Sequence, residues 1–325
     1  MNKNKKLIIL IFILIIFSTT FSYAQTSIYC AICGQEISGK YWKLDNKNIC
    51  NNCYENLPHC CICSIPMKSY YTVETNKICE SCFTKLSQCY LCGVRMLKWY
   101  QIKSFYTGIK HKYCYNCADT AKRCDTCRLP VEFTQKPLSD GRYLCSYCYY
   151  YAVKSPEFTG KQYNDVIGLL SRNLNLSIKK RPNLYVIDKD KFRSVHRDSS
   201  QDELGLFTGK KEIISGYAFK KSKILDTKIY ILSFLSDKIN LWTLAHESAH
   251  AWYFENSDEN LPEMLNEGFA EWVAYKIAGQ YCDRNMLNYF LTRNDVYGKG
   301  LNLFIERERK QGIKGIFELI KINYK

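Results

Sequence analysis

The chain has 325 residues, which is enough for two domains and for a sizeable core in at least one of them. Apolar residues make up 46% of it and aromatic residues 14%, so disorder over most of its length is excluded. The formal net charge of +15 suggests a nucleic-acid partner, but that interpretation depends on how the 18 cysteines are used.

Residues 1–24 have the pattern of a secretory signal peptide. Three lysines lie among the first six residues, an apolar run from Leu7 to Phe17 follows, and Ser22-Tyr23-Ala24 offers small residues for cleavage. The run is shorter than the roughly 20 residues that a membrane-spanning helix needs. We therefore predict export to a periplasm or out of the cell, with no membrane anchor after cleavage. An uncleaved N-terminal anchor is the alternative.

Residues 25–152 contain one cysteine unit repeated four times. Each unit has two C-x-x-C pairs, 15 to 21 residues apart, and six residues separate successive units every time. The pairs are Cys30/Cys33 and Cys50/Cys53; Cys60/Cys63 and Cys79/Cys82; Cys89/Cys92 and Cys114/Cys117; Cys124/Cys127 and Cys145/Cys148. Two such pairs supply the four thiolates of a tetrahedral zinc site. We predict one structural zinc ion per unit, about four in all.

Other uses of these residues stay open. A disulfide framework is the main alternative, because exported proteins are often oxidised. His111, three residues before Cys114, is an alternative ligand in the third unit, whereas His59 and Cys61 are interpreted as bystanders. Cys282 is expected to be buried and unpaired.

The units resemble LIM-type and treble-clef zinc modules. They differ from LIM domains in their six-residue linkers and in having cysteine at every ligand position. Such modules bind other proteins or brace a neighbouring domain, so a protein partner is one expectation. Without the signal peptide, and with four zinc sites of charge about −2 each, the net charge falls to about +4, or about +6 with a further zinc ion. That charge and the export signal argue against a nucleic-acid partner.

Residues 153–325 have the composition of an ordinary globular domain. Helices are predicted over 163–174, 239–255 and 262–278, the last with Asn260 nearby as a candidate cap, and strands over 183–187, 214–219 and 228–234. The fold class that follows is α+β, with an N-terminal array of four small zinc-binding units, each with four cysteine ligands, preceding a second domain.

The stretch "LAHESAHAW", residues 244–252, lies in the second predicted helix. His246 and His250 are one helical turn apart, so both imidazoles can reach one metal ion. Glu247 lies beside them and can accept a proton from a water molecule at that ion. A helix with two hydrogen-bonded histidines and no metal is the alternative interpretation.

A third ligand is expected from "NEGFAEW" in the next predicted helix. Glu267 lies 17 residues after His250, a spacing that lets an antiparallel helix return to the metal. Glu271, one turn later, can accept a hydrogen bond from a ligand histidine and so determine its tautomer. A solvated helix carboxylate is the alternative for Glu271.

"LAHESAHAW", "LNEGFAEW" and "VYGKGLNLF", at this spacing, resemble the zinc peptidase domain of the LIM-containing plant growth regulators, the DA-one family. The stretches "LGLFTGKK" and "ISGYAFKKSKILDTKIYILSF" are also similar to that family, and the resemblance covers roughly residues 160–322. It implies a gluzincin-type metallopeptidase with His246, His250 and Glu267 as zinc ligands and Glu247 as catalytic base. It also implies that the strand over 228–234 is a sheet edge along which a peptide aligns.

The function predicted from these patterns is hydrolysis of peptide bonds in a peptide or protein substrate by an exported enzyme with one catalytic zinc ion. Tyr297 is the candidate donor to the oxyanion, ahead of Tyr275 and His196. The alternative is an exported, zinc-stabilised interaction scaffold with a latent or inactive peptidase domain. A zinc-finger protein that binds nucleic acid is a third hypothesis.

Overall fold

The computed structural model describes residues 27–104, 106–196, 203–216 and 219–322. It combines 43% helix with 21% strand, so the predicted α+β class is confirmed. The chain forms two compact units that divide between Leu86 and Ser87. The first unit holds the first two cysteine repeats, whereas the second holds the other two together with everything that follows. The predicted signal peptide, residues 1–24, lies outside the described residues.

Each cysteine repeat of the first compact unit is a hairpin followed by a short helix. An aromatic residue of the hairpin stacks on one from the helix, Trp42 on Tyr54 at 4.2 Å and Tyr71 on Phe83 at 4.0 Å between ring centroids. This packing explains the aromatic residue that follows the second cysteine pair. The elements are β1 (Tyr41–Leu44), β2 (Lys47–Cys50), α1 (Asn51–Glu55), β3 (Tyr71–Val73), β4 (Asn76–Ile78) and α2 (Glu80–Lys85).

The third and fourth repeats begin the second compact unit. Their short helices start at a cysteine whose sulfur accepts a hydrogen bond from the backbone three residues later, Cys114 from Cys117 and Cys145 from Cys148. Each sulfur therefore takes the place of the oxygen that usually caps a helix. The elements are β5 (Ser87–Gln88), β6 (Arg95–Met96), β7 (Tyr100–Lys103), β8 (Lys110–Tyr113), α3 (Tyr115–Thr120) and α4 (Ser146–Tyr150).

The rest of the second compact unit is mainly helical. Its first helix begins at Pro156 after the capping residue Ser155, and it ends at Asn175 in the left-handed conformation. Its elements are α5 (Pro156–Leu174), β9 (Asn183–Ile187), α6 (Lys189–Val195), β10 (Gly205–Gly216), β11 (Phe219–Leu232), α7 (Asp237–Asn256), α8 (Glu263–Ala278), α9 (Arg284–Thr292) and α10 (Val296–Leu319), with a break in α10 at Gly312.

The predicted helices are present and extend by a few residues, except that α8 begins at Glu263, with no side-chain cap from Asn260. The strand over 183–187 is confirmed. The strand predicted over 214–219 is wrong, since that range covers the end of β10 and the start of β11, and residues 217–218 lie outside the described residues. The pattern failed there because both strands alternate too weakly to separate one from the other.

The three strands form one sheet in the order β10-β11-β9. β11 pairs antiparallel with β10 and parallel with β9, so its backbone groups are used on both sides. The predicted edge strand over 228–234 is therefore wrong. Ile229 and Ile231 are fully buried, and this apolar character places their strand at the centre of the sheet. The edge near α7 belongs to β10 instead.

The core of this unit lies between α7, α8 and the sheet. α7 is buried on nearly all sides, which is unusual for a helix that carries two histidines and a glutamate. None of the helices in the described part of the chain combines the length and apolar character needed to cross a bilayer.

Candidate metal centre

α7 brings His246 and His250 together on the face that meets α8. Their Nε2 atoms are 3.1 Å apart, and His246 is 8% exposed. Two imidazoles in this arrangement follow directly from their spacing of one helical turn.

α8 supplies Glu267 to the same point. Its Oε2 lies 3.2 Å from Nε2 of His246 and 3.6 Å from Nε2 of His250. Ligands bound at about 2.0–2.1 Å in a tetrahedron stand roughly 3.3 Å apart. The three measured separations bracket that value, so these residues fit a four-coordinate ion with one open position.

Electrostatic coupling within the group is strong. Burial alone lowers the pKa of His246, but Glu267 and Glu271 outweigh it and raise that pKa well above its ordinary value. Burial alone raises the pKa of Glu267, and the two histidines outweigh it and hold the pKa far below the usual range. A cation at this position would replace the shared proton that these shifts describe.

Glu247 points into the cleft beside the histidines and is 6% exposed. Burial raises the pKa of this carboxyl, although His246, His250 and a backbone hydrogen bond from Phe207 oppose the shift. The edge strand β10 passes directly over it. A β-carbon on Gly205 would lie 2.7 Å from Oε1 of Glu247, so only glycine leaves room for the carboxylate there.

Glu271 lies behind His246, on the side away from Glu267. Its Oε1 is 3.5 Å from Nδ1 of His246, and its Oε2 accepts a 2.9 Å hydrogen bond from the indole of Trp242. Arg293 approaches the same carboxylate at 3.9 Å. The arrangement can hold the proton of His246 on Nδ1 and leave Nε2 free for a metal ion.

Three further residues are candidate donors to an oxyanion. Tyr297 is half-buried with its ring centroid 6.0 Å from that of His246, and Arg293 lies over its ring at 4.7 Å. His196 lines the same cleft, with Nδ1 2.8 Å from Glu203. Tyr275 packs against the hydrophobic core and lines neither of the cavities described below, so it is excluded as a donor.

The sixteen cysteines of the repeats form four separate groups, each with its sulfurs within 4.8 Å of one another. Sulfurs of different pairs stand 3.9 Å apart between Cys33 and Cys50, and 3.7–3.8 Å in the other groups. A tetrahedron with bonds of about 2.3 Å has edges of about 3.8 Å, whereas a disulfide needs about 2.05 Å. The groups are therefore compatible with structural zinc, and all described cysteines are free thiols.

The cysteine groups are also biased toward the thiolate form that a metal ion needs. Backbone N–H groups of Cys33 and Cys50 lower the pKa of Cys30 to about 6. His111 belongs to none of the groups and stacks on Tyr90 at 3.7 Å between centroids. Cys61 is outside them too, and Cys282 is a half-buried thiol whose pKa burial raises to about 12.

Two cavities meet at the candidate metal centre. The first, about 380 Å³ and here called the aromatic cavity, extends from His246 and Glu247 toward Trp242 and Phe290. The second, about 670 Å³, follows β10 past His250 and Glu267. Glu203, Gly205, His246, Glu247 and Tyr297 line both. A chain lying across the centre would therefore occupy one cavity on each side of it.

Motif reasoning missed Gly205, Trp242 and Arg293. Trp242 lies one turn before His246, so its place on the same helical face was available from spacing. Gly205 and Arg293 reach the site from distant elements and carry no local signal. No family model and no curated protein sequence matches this chain, so its assignment depends on the geometry of the site.

Proposed function

We propose that this protein is an exported, zinc-dependent peptidase of gluzincin type, in accord with the resemblance to the DA-one family. The observation that carries the proposal is the group of three ligand atoms, from His246, His250 and Glu267, at tetrahedral separations beside the buried carboxylate of Glu247. Two imidazoles and one carboxylate, with a fourth position open, form a donor set typical of catalytic zinc.

A bound zinc ion would supply Lewis-acid activation of water and of the scissile carbonyl. Glu247 takes the proton of the attacking water, and it then delivers that proton to the departing amine. Its elevated pKa suits both steps, because a very weak base would not accept the proton.

The substrate backbone is proposed to lie along β10, the exposed edge that passes over Glu247. An extended peptide adds to such an edge through main-chain hydrogen bonds. The phenol of Tyr297 donates to the oxygen that becomes negative during attack. Glu271 and Trp242 keep His246 in its metal-binding tautomer.

The four cysteine groups are proposed to hold structural zinc, which would stabilise small repeats that have little apolar core of their own. Residues 1–24 are proposed to direct export.

The direct test is to measure metal content and peptide cleavage on the same preparation of the mature chain. We expect about five zinc ions per chain, cleavage of a mixed fluorogenic peptide library, and loss of one ion with all cleavage in the His246→Ala variant. Four ions in both proteins, with no cleavage in either, would overturn the proposal and favour an interaction scaffold.

A further inference from the structure

The third and fourth cysteine repeats form part of the wall of the aromatic cavity. Tyr106 comes from the loop between β7 and β8, and Asp125, Thr126 and Arg128 come from the first cysteine pair of the fourth repeat. These residues belong to the same compact unit as His246. The cavity is therefore shared between the metal centre and two zinc-binding repeats.

The floor of the cavity is built from aromatic rings. Trp242 and Phe290 stack at 3.8 Å with an angle of 4° between their planes. Tyr106 packs against Phe290 at 6.3 Å and against Tyr289 at 5.1 Å between centroids. Leu235 and Ile239 add aliphatic surface beside them.

The loop that carries Tyr106 is held in place by contacts with α9. Asn285 donates a 3.1 Å hydrogen bond to the carbonyl of Thr107. The next residue, Gly108, has φ +69, and a β-carbon on it would lie 2.3 Å from Cγ of Asn285. The close approach depends on this glycine, so the position of the loop is built into the fold.

The fourth repeat departs from the other three where it faces the cavity. Thr126 occupies the position of Ile32, Ile62 and Leu91 in the equivalent pairs. Arg128 has φ +62, where the equivalent residues are Gly34, Ser64 and Gly93. A large residue in that conformation costs about 1 kcal/mol or more, so its presence points to a role other than folding.

Most of the charged side chains around the cavity are paired with one another. Lys189 lies 3.4 Å from Asp125, and Arg293 lies 2.7 Å from Asp295. Arg142 pairs at 2.8 Å with Asp140. A charged substrate group would have to compete with these pairs, whereas a neutral ring would meet the stacked aromatic floor.

We propose that the aromatic cavity is a specificity pocket for a large aromatic side chain of the peptide substrate, and that the third and fourth zinc-binding repeats complete it through Tyr106 and Thr126. This inference rests on the proposed peptidase function. It gives these two repeats a direct part in substrate selection, in addition to their own stability.

The test uses two metal-binding probes, L-phenylalanine hydroxamate and glycine hydroxamate, titrated calorimetrically into the zinc-loaded mature protein. We expect the phenylalanine probe to bind about 10- to 100-fold more tightly, as expected for an apolar group that fills a pocket. Thr126→Trp should narrow the cavity and reduce this preference at least severalfold, while the affinity for the glycine probe is unchanged. The variant is compatible with the fold, because equivalent positions hold Ile or Leu.

Ile62→Trp is the matched control, since Ile62 is the equivalent residue of the second repeat and is 48% exposed. It should leave both affinities unchanged. Tyr106→Leu is a second variant, with the same expected loss of preference from the other repeat.

Equal binding of the two probes to the wild-type protein would overturn the pocket. A preference that survives both Thr126→Trp and Tyr106→Leu would overturn the part played by the zinc-binding repeats. If the preference is present but no library peptide is cleaved, the pocket stands and the peptidase proposal fails. If neither probe binds to protein shown to hold zinc at His246, both proposals fail.

Discussion

Gly268 of α8 and Gly300 of α10 touch through their backbones beside the candidate metal centre. A β-carbon on Gly268 would lie 2.7 Å from Cα of Gly300, and one on Gly300 would lie 2.5 Å from Cα of Gly268. Because Gly268 directly follows Glu267, this crossing determines where the third ligand stands relative to α7.

Gly268→Ala should push α8 away from α10 and displace Glu267. We expect a loss of about 1–3 kcal/mol in the free energy of unfolding, as for overpacked cores, together with weaker binding of the ion at His246. Chelator competition and urea unfolding measure the two effects. Gly160→Ala in α5 is the control, since a β-carbon there meets nothing within 4 Å. Unchanged metal affinity in Gly268→Ala would contradict this account of the crossing.

Glu247→Gln should keep the metal ion and lose turnover. The amide preserves the shape of the side chain but cannot accept the proton of water, so a fall of about 10²- to 10⁴-fold in kcat is expected. Metal analysis and peptide cleavage on one sample provide the measurement. Activity close to that of the wild type would eliminate Glu247 as the base.

Glu271→Gln should weaken metal binding by about 10- to 100-fold, because His246 would lose the carboxylate that faces Nδ1. Glu263→Gln, on the exposed first turn of the same helix, is the matched control and should bind metal as the wild type does. The dissociation constant for zinc, measured by competition with a chromogenic chelator, distinguishes them. Equal constants would mean that Trp242 and the helix alone orient His246.

Metal removal should proceed in phases. All four cysteines of the fourth group are buried, whereas each of the other groups has an exposed member. A chelator therefore reaches the fourth group last, and zinc release should end with a slow phase of about one ion per chain. Cys124→Ser should abolish that phase if the assignment is right. A slow phase that survives the substitution would have to come from another site.

Asp140 and Arg142 predict an acid-sensitive contact between the fourth repeat and the sheet. Arg142 bonds both Asp140 and the carbonyl of Ser233, and Asp140 also accepts a hydrogen bond from the backbone of Lys189. Burial raises the pKa of Asp140, but the bonds from Arg142 and Lys189 outweigh it and hold the pKa below its ordinary value. The stabilisation is therefore complete above the unfolded pKa, about 3.9, and is lost as pH falls through the lower folded pKa.

Asp140→Asn should accordingly lower the free energy of unfolding by about 1–3 kcal/mol near neutral pH, and the difference from wild type should shrink below about pH 4. Urea unfolding of both proteins across this range measures the difference, in which metal release common to both cancels. Asp226→Asn is the control, because its ion pair with Lys228 is largely exposed and should matter less. A gap that stays constant down to about pH 2 would contradict the ionic origin.

Local spacing was sufficient to predict the ligand groups. Cysteines of one knuckle, and histidines four apart on a helix, converge whatever surrounds them, so the sixteen cysteines and His246, His250 and Glu267 were all predicted to group as they do. The contact of Glu271 with His246 likewise follows from its place one turn after Glu267.

Strand order could not be predicted in the same way. The apolar run of β11 was predicted to be an edge, but an apolar strand is most stable with a partner on each side, and β9 and β10 supply these. The glycine-containing β10 was missed, although Gly205 is what lets it pass over Glu247.

By itself, the sequence determined which side chains can share an ion, because those contacts span one helical turn or one knuckle. Only the tertiary structure decided what surrounds the centre. The crossing of Gly268 and Gly300, the approach of Arg293 to Glu271 and the entry of Tyr106 and Thr126 into the aromatic cavity join residues far apart in the chain. Such contacts depend on the packing of whole elements, which no local pattern encodes.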